Sequence, residues 1–286
     1  MEERVRKEPS DRRLWEEIMI RGAVLGSPIS HSLSPVLHRT AYEKLDVFGQ
    51  YQAIDVTADL LEEFISGLDE SWTGLSLTMP LKEKVLDIAD EVDELALRIN
   101  SANTLVRSSK GWRALTTDVN GFSQSLLAHG VTEFNKVVIL GSGATARSAA
   151  AACDAPDRQI TVIHRSPERE DTMRKCVRLA DLNFANWGAG LSEIDLLINA
   201  TPAGVADSYS EKLPGLVQGV YFEALYNPWP TQMLAKWRDC GGLAIDGLDL
   251  LVHQGIDQVE LMTGKSVQRT VLAPVLRMAC LAAMKA

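Results

Sequence analysis

The run VVILGSGATA, residues 137–146, decides the fold. Its first four residues are apolar and β-prone, a glycine-punctuated turn follows, and alanine-rich sequence continues to residue 152, so it reads as a buried strand, a tight turn and a helix. Gly141, Gly143 and Ala146 fall on the GxGxxG/A spacing of a dinucleotide-binding turn. Gly141 permits the turn, Gly143 lets backbone approach a pyrophosphate, and Ala146 lets the helix pack closely on the strand. Gly141, Ser142, Gly143, Ala144, Thr145 and Ala146 therefore form the expected phosphate cradle at the positive end of a helix. A turn of purely structural use would not need both the strand before it and the helix after it. Its place in mid-chain leaves room for a complete domain ahead of it.

The chain has 286 residues, which suggests two domains, and its 46% hydrophobic content suits sizeable cores. A net charge of -9 argues against a broad nucleic-acid or membrane surface and leaves room for a local basic pocket. The four cysteines, Cys153, Cys176, Cys240 and Cys280, are far apart and lack CxxC spacing, a pattern of buried thiols in a reducing, cytoplasmic compartment. The first twenty residues alternate in charge and hold no apolar core, so a cytoplasmic leader is expected there rather than a signal or an anchor.

Strand and helix alternate twice. In the first half, strands are expected at residues 22–25, 51–56 and 73–78, helices at 35–45, 58–68 and 81–89, and a hairpin at 103–106 and 111–115. In the second half, strands are expected at 137–140, 160–163, 195–199, 220–224 and 243–245, with helices between them, giving a doubly wound sheet. Helices then run from about residue 246 to 264 and from 269 to the end. The fold class is α/β: an N-terminal α/β domain, a Rossmann domain, and C-terminal helices that can return to the first domain.

A dinucleotide at the carboxyl ends of the second sheet places a substrate in the cleft between domains. Polar residues of the first half therefore matter most, and the clusters SHSLSP at 30–35, LTMPLK at 77–82 and SANT at 101–104 stand out, with TTD at 116–118 at the expected domain junction. Hydroxyls in SHSLSP suit an anion, although Ser34 before Pro35 is also a good helix N-cap. Lys82 alone reads as an ordinary solvated lysine, as does Lys84. At the end of the second strand, an NAD site would carry an acid for the ribose hydroxyl; here stand His164, Arg165 and Ser166, and Arg165 suits a 2'-phosphate. His253 reads as a satisfied helix histidine, and no histidine pair has metal spacing.

The segments GSPISHSLSPVLH, GLSLTMPLKEKV, SANTL, TTDVNGF, LGSGATARSA, INATPAGV, YNPWPTQML and GLDLLVHQG occur in the order found in the shikimate dehydrogenases. The chain resembles that family over about nine tenths of its length. The resemblance implies reversible NADP-linked reduction of 3-dehydroshikimate to shikimate, with no metal. It makes Lys82 and Asp118 the catalytic pair. It places the substrate carboxylate on Ser32 and Ser34, and the ring hydroxyls on Thr78, Asn103 and Gln254. It assigns Asn199, Thr201 and Gly247, with His164, Arg165 and Ser166, to the cofactor. The domains implied are 1–118 for substrate and 119–247 for NADP, with 248–286 packing back on the first, hinged near Val119 and Gly247 and closing on ligand. A monomer or a homodimer is compatible with all of this.

Ser76 and Thr116 stand where the family often has asparagine, and His164 and Ser166 depart from its common Asn-Arg-Thr. The shorter side chains keep a hydroxyl and lose reach, which bears on specificity. A quinate/shikimate dehydrogenase using NAD or NADP is the near alternative, though NAD would favour an acid near His164. A ligand sensor that lost turnover is the distant one, and it should have lost Lys82 or Asp118.

Overall fold

Alternating apolar runs build two six-stranded sheets in the computed structural model, which describes residues 19–285. The charged leader expected over the first twenty residues falls almost wholly outside the described residues.

The first half contains β1 (Ile20–Gly26), α1 (Ser34–Lys44), β2 (Gly49–Asp55), α2 (Leu61–Ser66), β3 (Gly74–Leu77), α3 (Leu81–Lys84), β4 (Glu91–Val92), α4 (Glu94–Arg98), β5 (Thr104–Ser108) and β6 (Gly111–Leu115). Its sheet runs β2-β1-β3-β5-β6-β4, with β1 parallel to β2 and β3, and the β5–β6 hairpin antiparallel to β3. The helix expected at 81–89 is shorter: α3 stops at Lys84 and tightens into a 3-10 turn over Val85–Asp87. That turn seats Leu81 and Val85 in the core and keeps Lys82 at the rim.

The second half contains α5 (Asp118–Ala128), β7 (Lys136–Leu140), α6 (Ala144–Ala152), β8 (Gln159–His164), α7 (Glu170–Cys176), β9 (Asp181–Asn186), β10 (Leu196–Asn199), α8 (Asp207–Ser210), β11 (Val220–Glu223), α9 (Gln232–Asp239), β12 (Leu243–Ile245), α10 (Gly247–Thr263) and α11 (Arg269–Ala283). The sheet is wholly parallel in the order β12-β11-β10-β7-β8-β9. The order reverses between β7 and β10, and that switch point lies beside the glycine turn. β9 went unanticipated because DLNFAN is polar and half-exposed, as an edge strand can be.

α10 and α11 lie against the first sheet. Leu248, Val252, Ile256 and Val259 of α10 join Leu272, Leu276 and Cys280 of α11 in one core with Ile20, Val24, Leu37 and Tyr51. α10 also packs closely on α5, since a Cβ on Gly121 would come within 2.8 Å of the Gln254 Cβ. The absent side chain brings Gln254 beside the start of α5, where Asp118 sits. All four cysteines are buried, and burial pushes the Cys153 thiol up to about 12. No helix among the described residues is long and apolar enough to cross a membrane.

Candidate active site

Lys82 and Asp118 meet although 36 residues separate them: Lys82 Nζ donates to Asp118 Oδ2 at 2.6 Å. Both are largely withdrawn from water, with side chains 15% and 6% exposed, so the pair acts in a medium of low screening. The second carboxylate oxygen, Oδ1, accepts from Asn103 Nδ2 at 2.9 Å. Asn103 is held in turn, because its Oδ1 accepts from the Thr117 backbone at 2.8 Å and from Thr104 Oγ1 at 2.9 Å. Its Nδ2 also faces Thr117 Oγ1 at 2.9 Å and Gln254 Oε1 at 3.0 Å. Two amide hydrogens cannot serve three acceptors at once, so acceptor capacity is left over beside the Lys82–Asp118 pair for a ligand hydroxyl.

Ser32 and Ser34 lie in the loop that leads into α1. The N-cap position falls to Leu33 and makes no side-chain cap bond, so Ser34 is not spent as the cap that its place before Pro35 suggested. Ser32 Oγ accepts the Ser34 amide at 3.3 Å, and Tyr226 packs against the core that holds Ile29 and Leu33 on either side of Ser32. Burial is the main cause holding the Tyr226 phenol above its ordinary range. Tyr226 thus reaches from the loop after β11 to the serine loop. Thr78 follows β3 directly, half-buried, and its carbonyl accepts from the Leu81 amide at 2.8 Å to start α3.

Ser76 is turned into the interior. It accepts from the Tyr51 hydroxyl and donates to Gln258 Oε1 at 2.7 Å. Gln258 is a residue the sequence reading missed. One helical turn beyond Gln254, it is almost fully buried and donates to the Asn103 carbonyl at 3.1 Å and to Thr104 Oγ1 at 3.0 Å. The i, i+4 spacing from Gln254 on α10 was its only sequence signal. The buried Thr116 hydroxyl has no hydrogen-bond partner among the described residues.

On the nucleotide side, Gly141 adopts φ +104, and a Cβ there would press on the Ala200 carbonyl at 3.2 Å. Only glycine suits this turn. Ser142 and Gly143 carry the chain into α6, whose first amides, including those of Thr145 and Ala146, have no intrahelical acceptor. These donors fit a pyrophosphate. Arg165 is exposed and stacks its guanidinium 5.7 Å from the Trp187 ring centre. Arg169, also unanticipated, brings Nη1 within 3.6 Å of where a Gly143 Cβ would stand, so a guanidinium flanks the turn. Its signal was the second basic residue in HRSPER.

His164 does not face the cleft. Its buried ring meets the Ser166 carbonyl at 3.0 Å and Glu170 at 3.4 Å, so it braces the loop that carries Arg165 and Ser166. Asn199 Oδ1 accepts from the Thr201 amide and hydroxyl, at 3.1 and 2.7 Å, while its Nδ2 faces the buried Glu223 carboxyl at 3.2 Å. Burial pushes the Glu223 carboxyl up, against bonds from Tyr221, Thr231 and Asn199. Gly247 opens α10 where a Cβ would collide with the Leu225 carbonyl, which seats the helix start against the loop after β11.

The profile of the shikimate dehydrogenase substrate binding domain matches residues 24–105. A shikimate dehydrogenase (NADP(+)) of Methanosarcina mazei is 37% identical over 257 residues, covering 84% of this chain and 91% of that protein. The chain belongs to the shikimate dehydrogenase family. Among solved structures, the shikimate dehydrogenase of Mycobacterium tuberculosis superposes with a TM-score of 0.81 at 35% identity, over 91% of this chain and 99% of that one. The Thermus thermophilus shikimate 5-dehydrogenase, solved in complex with NADP(H) and shikimate, gives 0.78 at 30% identity, over 91% and 100%. These likenesses span both sheets and the returning helices, as the eight ordered sequence segments implied.

Proposed function

We propose that this chain is an NADP-dependent shikimate dehydrogenase that interconverts 3-dehydroshikimate and shikimate. The observation that carries the reading is the buried Lys82–Asp118 pair, set at 2.6 Å beside Asn103 and Gln254. When bound, NADP supplies or accepts the hydride. The protein must then manage a proton on the substrate oxygen and hold a polyol in one orientation. Lys82 is placed to exchange that proton and to stabilise negative charge on the oxygen. Asp118 holds the ammonium with one oxygen and takes a substrate hydroxyl on the other. Asn103, Gln254 and Thr78 offer donors and acceptors for the remaining hydroxyls, and Ser32 and Ser34 receive the carboxylate. Gly141, Ser142, Gly143, Ala144, Thr145 and Ala146 hold the pyrophosphate. Arg165 and Ser166, on the loop braced by His164, take the 2'-phosphate together with Arg169, and Asn199, Thr201 and Gly247 shape the wall toward the nicotinamide.

The two domains are residues 1–118 and 119–247, with 248–286 returning to the first. This division is supported by the two separate sheets and by the core that α10 and α11 share with β1 and α1. The protein works on these small molecules as a cytoplasmic monomer or homodimer, without nucleic acid or membrane, a reading supported by its net charge of -9 and its buried thiols.

Initial rates with shikimate or quinate, each with NADP or NAD, test the assignment. Rapid turnover is expected only with shikimate and NADP; comparable rates with quinate or NAD overturn it. Replacing both Arg165 and Arg169 by Ala is expected to raise KM for NADP by about ten- to a hundredfold, the loss of hydrogen bonds to a charged group, with kcat little changed. An unchanged KM would remove the arginines from the phosphate site.

A further inference from the structure

Arg147 is the bulkiest fully buried side chain among the described residues. A charge so placed must be paired and fully hydrogen-bonded, and its partners lie outside its own sheet. It stands on α6, directly after the phosphate turn, and points across to the first half of the chain. Nε donates to the Ile99 carbonyl at 2.6 Å, and Nη2 donates to the Asn100 carbonyl at 2.9 Å and to Glu83 Oε1 at 2.7 Å. We propose that Arg147 is a positioning residue that holds the Lys82 turn and the Asn103 segment in register with the phosphate-binding helix.

Two short routes lead from its guanidinium to the reacting groups. Glu83 follows Lys82 in α3, so fixing the Glu83 carboxylate fixes the turn from which the Lys82 ammonium projects. The carbonyls of Ile99 and Asn100 close α4, where Asn100 takes φ +51, the left-handed conformation asparagine commonly supplies just past a helix end. Two residues on, the Ala102 amide donates to the Lys82 carbonyl at 2.8 Å, and Asn103 then grips Asp118. The ring closes: Arg147, Glu83, Lys82, Ala102, Asn100 and back to Arg147. Both partners of the Lys82–Asp118 pair are thereby referred to α6, the helix whose first turn sets the phosphate position. Hydride and proton must be handled on one substrate carbon and oxygen, and a displacement of about 1 Å between the two half-sites can cost about a hundredfold in rate.

This inference rests on the function proposed above, and its test separates the two. Arg147→Lys and Glu83→Ala are made in the full chain, with Lys84→Ala as a control at an exposed neighbour whose ion pair is to Asp87. Shikimate oxidation is followed, and so is the rate at which acetic anhydride acylates Lys82, mapped by peptide mass spectrometry. Arg147→Lys is expected to lower kcat by about tenfold or more and Glu83→Ala by about threefold, each with KM for NADP within about threefold of wild type. Lys82 acylation rises several-fold in both, and Lys84→Ala changes neither reading. A residue that merely cemented the interface would lower stability and leave the kcat of the folded enzyme intact. Folded variants with wild-type kcat and unaltered Lys82 acylation overturn the proposal. If Arg147→Lys does not fold, Glu83→Ala decides, since Glu83 is 48% exposed and Arg147 keeps its bonds to the Ile99 and Asn100 carbonyls. A wild-type protein inert toward shikimate overturns the proposed function, and Lys82 acylation still decides the role of Arg147.

Discussion

Lys82→Ala is expected to lower kcat for shikimate oxidation by about a thousandfold while KM for shikimate stays within about fivefold of wild type. The split follows from the geometry. Ser32, Ser34, Thr78, Asn103 and Gln254 remain, so the polyol still binds, while the proton on the reacting oxygen loses its exchange partner. Positioned proton transfer is worth about a hundred- to ten-thousandfold, and charge stabilisation in a site closed to water adds to it. The substitution also strands the Asp118 carboxylate, 6% exposed, with Asn103 as its remaining side-chain donor. Some loss of stability therefore accompanies it. Lys82→Arg separates the two effects, because a guanidinium keeps the ion pair yet does not give up a proton near neutral pH. It should fold like wild type and turn over nearly as slowly as Lys82→Ala. Undiminished shikimate oxidation by Lys82→Ala would remove Lys82 from the chemistry altogether.

Much of this architecture was legible from local sequence, because local sequence caused it. VVIL before Gly141 is buried on both faces of a parallel sheet and so reads as a continuous apolar run, and the turn after it requires residues without side chains. The motif residues Lys82, Asn103, Asp118 and Gln254 could be named one by one, yet nothing in their spacing says that they touch. Gln254 joins the others only because α10 packs into the groove left by Gly121 on α5. Apart from Arg169, the residues missed are those that act across the fold. Gln258 bonds the Asn103 carbonyl 155 positions away, and Arg147 bonds Glu83 from 64 positions away. Each looks like an unremarkable polar residue on a helix until its partner arrives. Ser34 shows the opposite case: a local rule favoured a capping role, and the chain entered α1 one residue earlier. His164 likewise stood at a ligand position in sequence, and its ring braces the loop instead.

Folding is expected to become markedly less favourable as pH falls from 6.5 toward 3, and His38 contributes across that whole range. Its ring is fully buried, stacked on Tyr51 with centroids 3.8 Å apart, and contacts Tyr42 and Gln258 at 3.3 Å. Burial drives it from 6.5 down to about 3, against the opposing effect of the hydrogen bond its Nε2 makes to Gln258 Oε1. Below pH 6.5 the unfolded chain takes up a proton that the folded chain refuses, so stability drains away until the folded ring also protonates near 3. The slope approaches 1.4 kcal/mol per pH unit, for about 5 kcal/mol in all. His253, pushed down to about 4 by burial and by Arg269, acts in the same sense. His129 acts oppositely: its bond to Asp249 raises it, so its contribution is complete below pH 6.5 and is lost as pH rises through its folded value. Glu223, raised by burial, also favours the folded state at low pH and loses that contribution above 4.5. Chemical denaturation across this range reads the balance. His38→Phe keeps an aromatic ring on Tyr51, leaves Gln258 Oε1 its bond from Ser76, and removes the titration. Its stability should fall less steeply between pH 6.5 and 4.5, by close to 1.4 kcal/mol per unit. An unaltered slope would mean that His38 carries its proton in the folded protein, and that the Tyr51–Ser76–Gln258 network behind Asn103 admits a buried positive charge.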